Sequence, residues 1–150
     1  MGESGHMMVN LEDILPHRSP MILIDSLVRC DADSATTVKT FAAGAYGTGE
    51  GGRVLESAII ESLAQTVAAI AGVAARRSSR RPGRGMLVGV SDFAFLGPVL
   101  CDLPIELTVQ VTRRLGRFCL AAATARQDGI VLAQGDLKFY IEEEALETAE

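Results

Sequence analysis

Tryptophan is absent from the 150-residue chain, and aromatic residues make up only 5% of it. That scarcity argues against an aromatic cage or a base-stacking platform, both of which need several flat side chains. Cysteine is sparse too: Cys30, Cys101 and Cys119 are odd in number, and no two of them form a Cys-x-x-Cys pair. They offer neither a disulfide framework nor zinc-type spacing, and they suggest a reducing, cytoplasmic setting. Of two histidines, His6 sits in a polar stretch that reads as a flexible end. With histidines and cysteines this scattered, neither a metal site nor a cofactor is expected. Basic residues number 14 against 19 acidic ones, and the net charge of −5 argues against general nucleic-acid binding. A basic segment followed by an apolar run is missing from the N-terminus, so no secretory signal is read there. The glycine-dense stretch at 43–53 lacks the Gly-Lys-Ser/Thr ending of a phosphate-binding loop.

What the chain does have is apolar substance, at 48% hydrophobic residues. That is enough for one domain with a proper core. The expected division is a flexible N-terminus over 1–9, a single domain over 10–142 and an acidic tail over 143–150. The longest run with helical periodicity is Val54 to Arg77, where Ile59 or Ile60, Leu63, Val67, Ile70 and Val73 recur at three- and four-residue steps among alanines. It is long enough for a membrane span, but Glu61 and Gln65 fall within its apolar part, and a carboxylate at bilayer depth is costly. The run therefore reads as the central helix of a soluble domain. Glu61 and Gln65 are four apart and share a face, which Ala68 and Gly72 continue. A glutamate placed there either reaches solvent or works inside a cavity.

Around this helix the chain reads as a short turn LEDIL capped by Asn10 and closed by Pro16, then strands over 21–28 and 34–43. Asp25 can serve as a strand-end cap and Arg18 as a surface charge. After the helix come four more strand-like runs, Met86 to Phe95, Pro104 to Arg113, Phe118 to Arg126 and Ile130 to Ile141. Leu-Gly at 115–116 and Asp-Gly at 128–129 mark turns between them. An α+β architecture, one mainly antiparallel sheet wrapped around one buried helix, satisfies this order with a single core.

That arrangement is the hot-dog fold, and three motifs carry a resemblance. Leu15 to Asp25 (LPHRSPMILID), Glu61 to Gln65 (ESLAQ) and Gly89 to Val99 (GVSDFAFLGPV) resemble signatures of the FabZ-type 3-hydroxyacyl-acyl-carrier-protein dehydratases. In that family the helix glutamate is catalytic, which points to Glu61. Typical members also place a catalytic histidine in a His-Phe-Pro-Gly loop before the helix. Here that region reads GAYGTGEGGRVLESA and has no histidine. In this it resembles the divergent branch associated with aryl-polyene-type biosynthesis, which keeps the N-terminal Pro-His and the helix glutamate.

The resemblance implies elimination of water from a carrier-bound 3-hydroxyacyl thioester, in fatty-acid or polyene/polyketide-type biosynthesis. A carboxylic acid in an apolar tunnel suits proton delivery, so Glu61 is the candidate acid and Gln65 its orienting, substrate-side partner. His17 is the only other histidine and the candidate base, although in typical members this histidine supports the site instead. A helix N-terminus approached through glycines suits stabilisation of the thioester oxygen. Arg76, Arg77, Arg80, Arg81 and Arg84 either complement the helix dipole or dock an acidic acyl carrier protein or the phosphates of coenzyme A. Arg113, Arg114 and Arg117 are candidates to join them. Two alternatives stand beside the dehydratase: an acyl thioesterase, and a non-catalytic hot-dog subunit that binds acyl thioesters. Since such folds usually pair, a homodimer or a heterodimer with a related chain is expected.

Overall fold

The computed structural model describes residues 9–80 and 83–142. Of the expected flexible start only Val9 is included, and Arg81 and the acidic tail 143–150 lie outside the described residues. The order is α1 (Leu11–Ile14), β1 (Ser26–Cys30), β2 (Ser34–Lys39), a single 3-10 turn (Glu50–Gly52), α2 (Glu56–Arg77), β3 (Arg84–Phe95), β4 (Ile105–Leu115), β5 (Phe118–Gln127) and β6 (Ile130–Glu142). Six strands form one sheet in the order β1-β2-β4-β5-β6-β3, with each neighbouring pair antiparallel. This is the expected hot-dog arrangement, with α2 lying against the inner face of the sheet.

The burial pattern of the strands explains why α2 sits where it does. Leu107 and Val109 of β4 and Ala121, Ala123 and Ala125 of β5 are buried, while their neighbours along each strand are not. The alanines of β5 leave room for a close helix, and Ile59, Leu63 and Ile70 of α2 belong to the same buried cluster. Each such side chain stabilises the fold by roughly 1.5–3 kcal/mol. By length and apolarity α2 qualifies as a membrane span, yet most of it is buried inside the protein. It is the core helix. At its far half Gly72 meets α1, and a Cβ there would run into the carbonyl oxygen of Ile14. Asn10 caps α1 as expected, its side chain accepting from Glu12 N at 3.1 Å.

Two expected strands are shorter than their apolar runs. Residues 21–25 carry no strand: Asp25 N still reaches Val38 O at 2.8 Å, but farther back a side chain takes the bonds, Leu23 N donating to Gln65 Oε1 at 2.8 Å and Met21 O accepting from Gln65 Nε2 at 2.7 Å. Leu23 and Ile24 are still buried. Their hydrophobicity reports burial against the helix rather than pairing in a strand. The second strand stops at Lys39, since Thr40 N turns to Asp25 Oδ2 at 2.7 Å. Asp25 is therefore a strand-end cap, also holding Lys39 Nζ at 3.1 Å. The later strands match their runs closely. Asp128 and Gly129 both adopt positive φ (50° and 74°), the requirement of the tight hairpin turn between β5 and β6.

Candidate active site

A cavity of about 180 Å³ opens between α2 and the adjoining parts of β3 and β6. Ala64, Val67, Ala68 and Ala71 of α2 form one wall, and Gly85, Leu87, Phe139 and Ile141 of the sheet form the other. Ile14, Pro16 and His17 close one side, with Gly83 at the start of β3. The helical wall from Glu61 to Ala71 rises about 15 Å over ten residue steps of an α-helix. It is apolar along its length except at one end, where His17, Glu61 and Gln65 meet.

Gln65 organises that end. Its side chain is 1% exposed, and its donors reach Met21 O and Glu61 Oε1, the latter at 3.0 Å. Its oxygen accepts from Leu23 N. One amide thus ties the 21–25 segment to α2 and holds the carboxylate of Glu61 in place. His17 Nε2 lies 3.5 Å from Glu61 Oε1, on the loop that Pro16 and Arg18 shape. Arg18 stiffens this loop by donating to the carbonyls of Leu15 and His17. The other ring nitrogen, His17 Nδ1, is buried and has no hydrogen-bond partner among the described residues. The imidazole is therefore not spent on a backbone carbonyl, as a purely turn-shaping histidine would be.

A glutamate working inside an apolar tunnel would be enclosed by it. The side chain of Glu61 is instead 36% exposed, and that of His17 is 28% exposed. Both stand at the open end of the cavity, where a substrate can reach them. The start of α2 is separate from this place: Leu55, its cap residue, supplies no side-chain bond, and none of residues 55–58 lines the cavity. Within one chain, the free N–H groups of the helix N-terminus therefore do not face the carboxylate.

Cys30 and Cys119 are not nucleophile candidates. Burial pushes Cys30 and Cys119 above the ordinary 9.0, more than the nearby arginines lower them. The described residues contain no cluster of His, Cys, Asp and Glu suited to a metal.

The arginines divide. Arg76 donates to Asp13 Oδ2 at 2.9 Å and fastens α2 to α1. Arg77 and Arg80 are exposed at the end of α2, and Arg84 is exposed at the start of β3. Strand register places Arg113, Arg114 and Arg117 at the same end of the sheet, because the tip of the β4–β5 hairpin abuts the last residues of β6, which pair with Arg84 and Gly85. Arg114 is held by Asp33 at 3.1 Å. That convergence was not readable from spacing. Nor were the sheet residues of the cavity, although the alternate burial of Leu137 and Phe139 in β6 was a signal for its inner wall.

Comparison with known proteins follows the same line. The chain is 31% identical over 146 residues to a 3-hydroxyacyl-[acyl-carrier-protein] dehydratase FabZ of Herpetosiphon aurantiacus, covering 89% of this chain and 99% of that one. A FabZ of Anaeromyxobacter dehalogenans is 28% identical over 136 residues, covering 85% of each. Among solved structures, the dehydratase heterocomplex ApeI:P from Xenorhabdus doucetiae superposes with a TM-score of 0.82 at 17% identity, over 91% of this chain and 93% of that one. Residues 9–150 match the ApeP-like family, described as ApeP dehydratase, and the chain belongs to that family.

Proposed function

We propose that the chain eliminates water from 3-hydroxyacyl thioesters borne by an acyl carrier protein, with Glu61 and His17 as acid and base. The observation that carries this reading is the 3.5 Å approach of His17 Nε2 to Glu61 Oε1, beside Gln65, at one end of a mainly apolar cavity. Dehydratase relatives that act on carrier-bound 3-hydroxyacyl groups support it.

The chemistry balances with these two groups. His17 Nε2 accepts the proton on C2, and the electron pair of that C–H bond becomes the C2–C3 double bond. The C3–O bond breaks as Glu61 gives its proton to the departing oxygen, which leaves as water. The imidazolium then returns its proton to the Glu61 carboxylate through the departing water, which restores both groups. Gln65 keeps the carboxylate aimed throughout, and the alanine wall of α2 gives the acyl chain an apolar bed.

Assembly follows from β3. This edge strand is twelve residues long and exposes Met86, Leu87, Val88 and Val90, an invitation to pair with another chain. A homodimer, or a heterodimer with a related hot-dog chain, pairs with its backbone edge and leaves the outer sheet face open. Arg77, Arg80 and Arg84, joined by Arg113 and Arg117, form a basic end suited to an acidic carrier. The buried place of α2 and the three free thiols support a soluble protein of the cytoplasm.

The test is incubation with a 3-hydroxyacyl carrier protein and, separately, with the matching 2-enoyl thioester, both followed by mass. Loss or gain of one water with the thioester intact is the expected result. His17→Ala, folded as judged by circular dichroism, is expected to lose about a hundredfold in rate. Cleavage of the thioester overturns the reading in favour of a thioesterase. Failure to turn over either substrate, alone or with a second hot-dog chain, leaves the role of an acyl-binding subunit.

A further inference from the structure

The outer face of the sheet carries an apolar row that the cavity does not use. Register sets Met86 of β3 opposite Tyr140 of β6, Tyr140 opposite Phe118 of β5, and Phe118 opposite Leu115 of β4. Directly paired residues project from the same side of a sheet, and Leu137 and Phe139, which alternate with Tyr140, are buried on the inner side. The Phe118 and Tyr140 rings meet edge to face, with centroids 5.4 Å apart. Leu115 is 50% exposed, Met86 47% and Phe118 40%. Four strands at sheet spacing make the row about 14 Å long. That is close to three turns of an α-helix, which rise about 16 Å. Further along the same face the ladder positions turn polar, with Thr108, Thr124 and Gln134 in register.

Cations are held around this row. Lys138 Nζ stands 4.7 Å from the centre of the Phe118 ring, and Arg117 Nη1 donates to Tyr140 Oη at 3.3 Å. Arg113 lies opposite Leu120 in the next rung, and Arg84 flanks Met86. Among the described residues, the acids on this part of β6 are Glu142, set opposite Arg84, and Asp136 farther along the strand.

We infer that this row is the docking surface for the acidic, amphipathic helix of the acyl carrier protein, an inference that rests on the function proposed above. Three observations select that occupant. The row is as long as a short helix and matches an apolar stripe. Its rim is cationic, so it complements carboxylates and steers an acidic partner toward it. And Met86 sits between Gly85 and Leu87, which line the cavity from the other side of β3, so a carrier bound here lies one strand's thickness from the substrate's apolar bed. A second copy of this chain fits poorly, because a two-fold contact through the row sets arginine against arginine.

Binding of a holo acyl carrier protein to the full chain, measured by titration calorimetry at low and high salt, tests this without reference to turnover. The double variant Leu115→Asn/Phe118→Asn is expected to weaken binding at least tenfold, and Lys138→Glu severalfold, with the Lys138 effect shrinking at high salt. Gln134→Ala, on the polar part of the same face, is the control and is expected to bind as the parent does. Lys138→Glu keeps the question open to refutation should the double variant fail to fold. Unchanged binding in both row variants overturns the inference. So does self-association of the chain that the double variant abolishes, for the row would then belong to a second copy. Carrier binding through the row without dehydration would refute the proposed reaction and leave the docking surface standing.

Discussion

Glu61, Ser62, Gln65 and Thr66 occupy the same two turns of α2, yet the fold treats them as two different kinds of polar group. Ser62 and Thr66 face the sheet and are fully buried, as is Thr37 of β2. Thr66 Oγ1 meets Thr37 Oγ1 at 2.8 Å and the carbonyl of Ser62 at 2.8 Å, and Ser62 Oγ donates to the carbonyl of Ala58 at 2.9 Å. Every hydroxyl there has a partner. Glu61 and Gln65 face the cavity, where only Gln65 is fully bonded, Glu61 is half-exposed and His17 has a buried nitrogen without a partner. The first network is closed and spends its bonding capacity on α2 and β2. The second is left open at the groups that can move a proton. Satisfied polar networks rigidify a core, whereas unspent polar capacity beside a cavity marks a place for a ligand.

Three substitutions sharpen or break that contrast. The largest effect is expected from Glu61→Gln, which keeps size and hydrogen bonding but removes the titrating proton. Turnover of a 3-hydroxyacyl carrier protein should fall by about a hundredfold or more, while the melting temperature stays that of the parent. Equal activity in this variant would place Glu61 among merely structural groups. Gln65→Leu comes next, because it strands the buried Leu23 N at a cost of about 1–3 kcal/mol and also frees the partly exposed Met21 O. Denaturant midpoints should drop, and activity should drop with them as Glu61 loses its anchor. A variant losing activity alone would mean that the 21–25 segment is held by something else. Thr66→Val is the smallest: one unpaired hydroxyl on Thr37 costs about 1–3 kcal/mol in stability, and the rate measured well below the melting point should be unchanged. A large loss of rate there would erase the distinction between the two networks.

Much of this was legible in the chain itself, and the reasons differ from element to element. The central helix showed in its periodicity, and four later strands showed in alternation bounded by turn residues, because local chemistry sets those boundaries. The pairing of Glu61 with Gln65 showed because a helix puts positions four apart on one face. Residues 21–25 misled, since an apolar run signals burial, and the far-off Gln65 takes the backbone bonds of Met21 and Leu23. The half-exposure of Glu61 was hidden for the same kind of reason: the walls opposite α2 come from residues 83–87 and 139–141, and their distance is a property of sheet order. The gathering of Arg84 with Arg113 and Arg117 likewise depends on register, which no spacing along the chain reveals.

The bonding of Gln65 has a consequence for the carboxyl beside it. Leu23 offers an N–H, so the amide oxygen must face it, and the amide nitrogen must then face both Met21 O and Glu61 Oε1. A flipped amide would set donor against donor. Glu61 Oε1 is therefore committed as an acceptor, and a proton held by this carboxyl resides on Oε2. In the proposed elimination Glu61 therefore works through Oε2 alone. The choice of working oxygen is thus set by Gln65, a side chain that touches neither bond being broken.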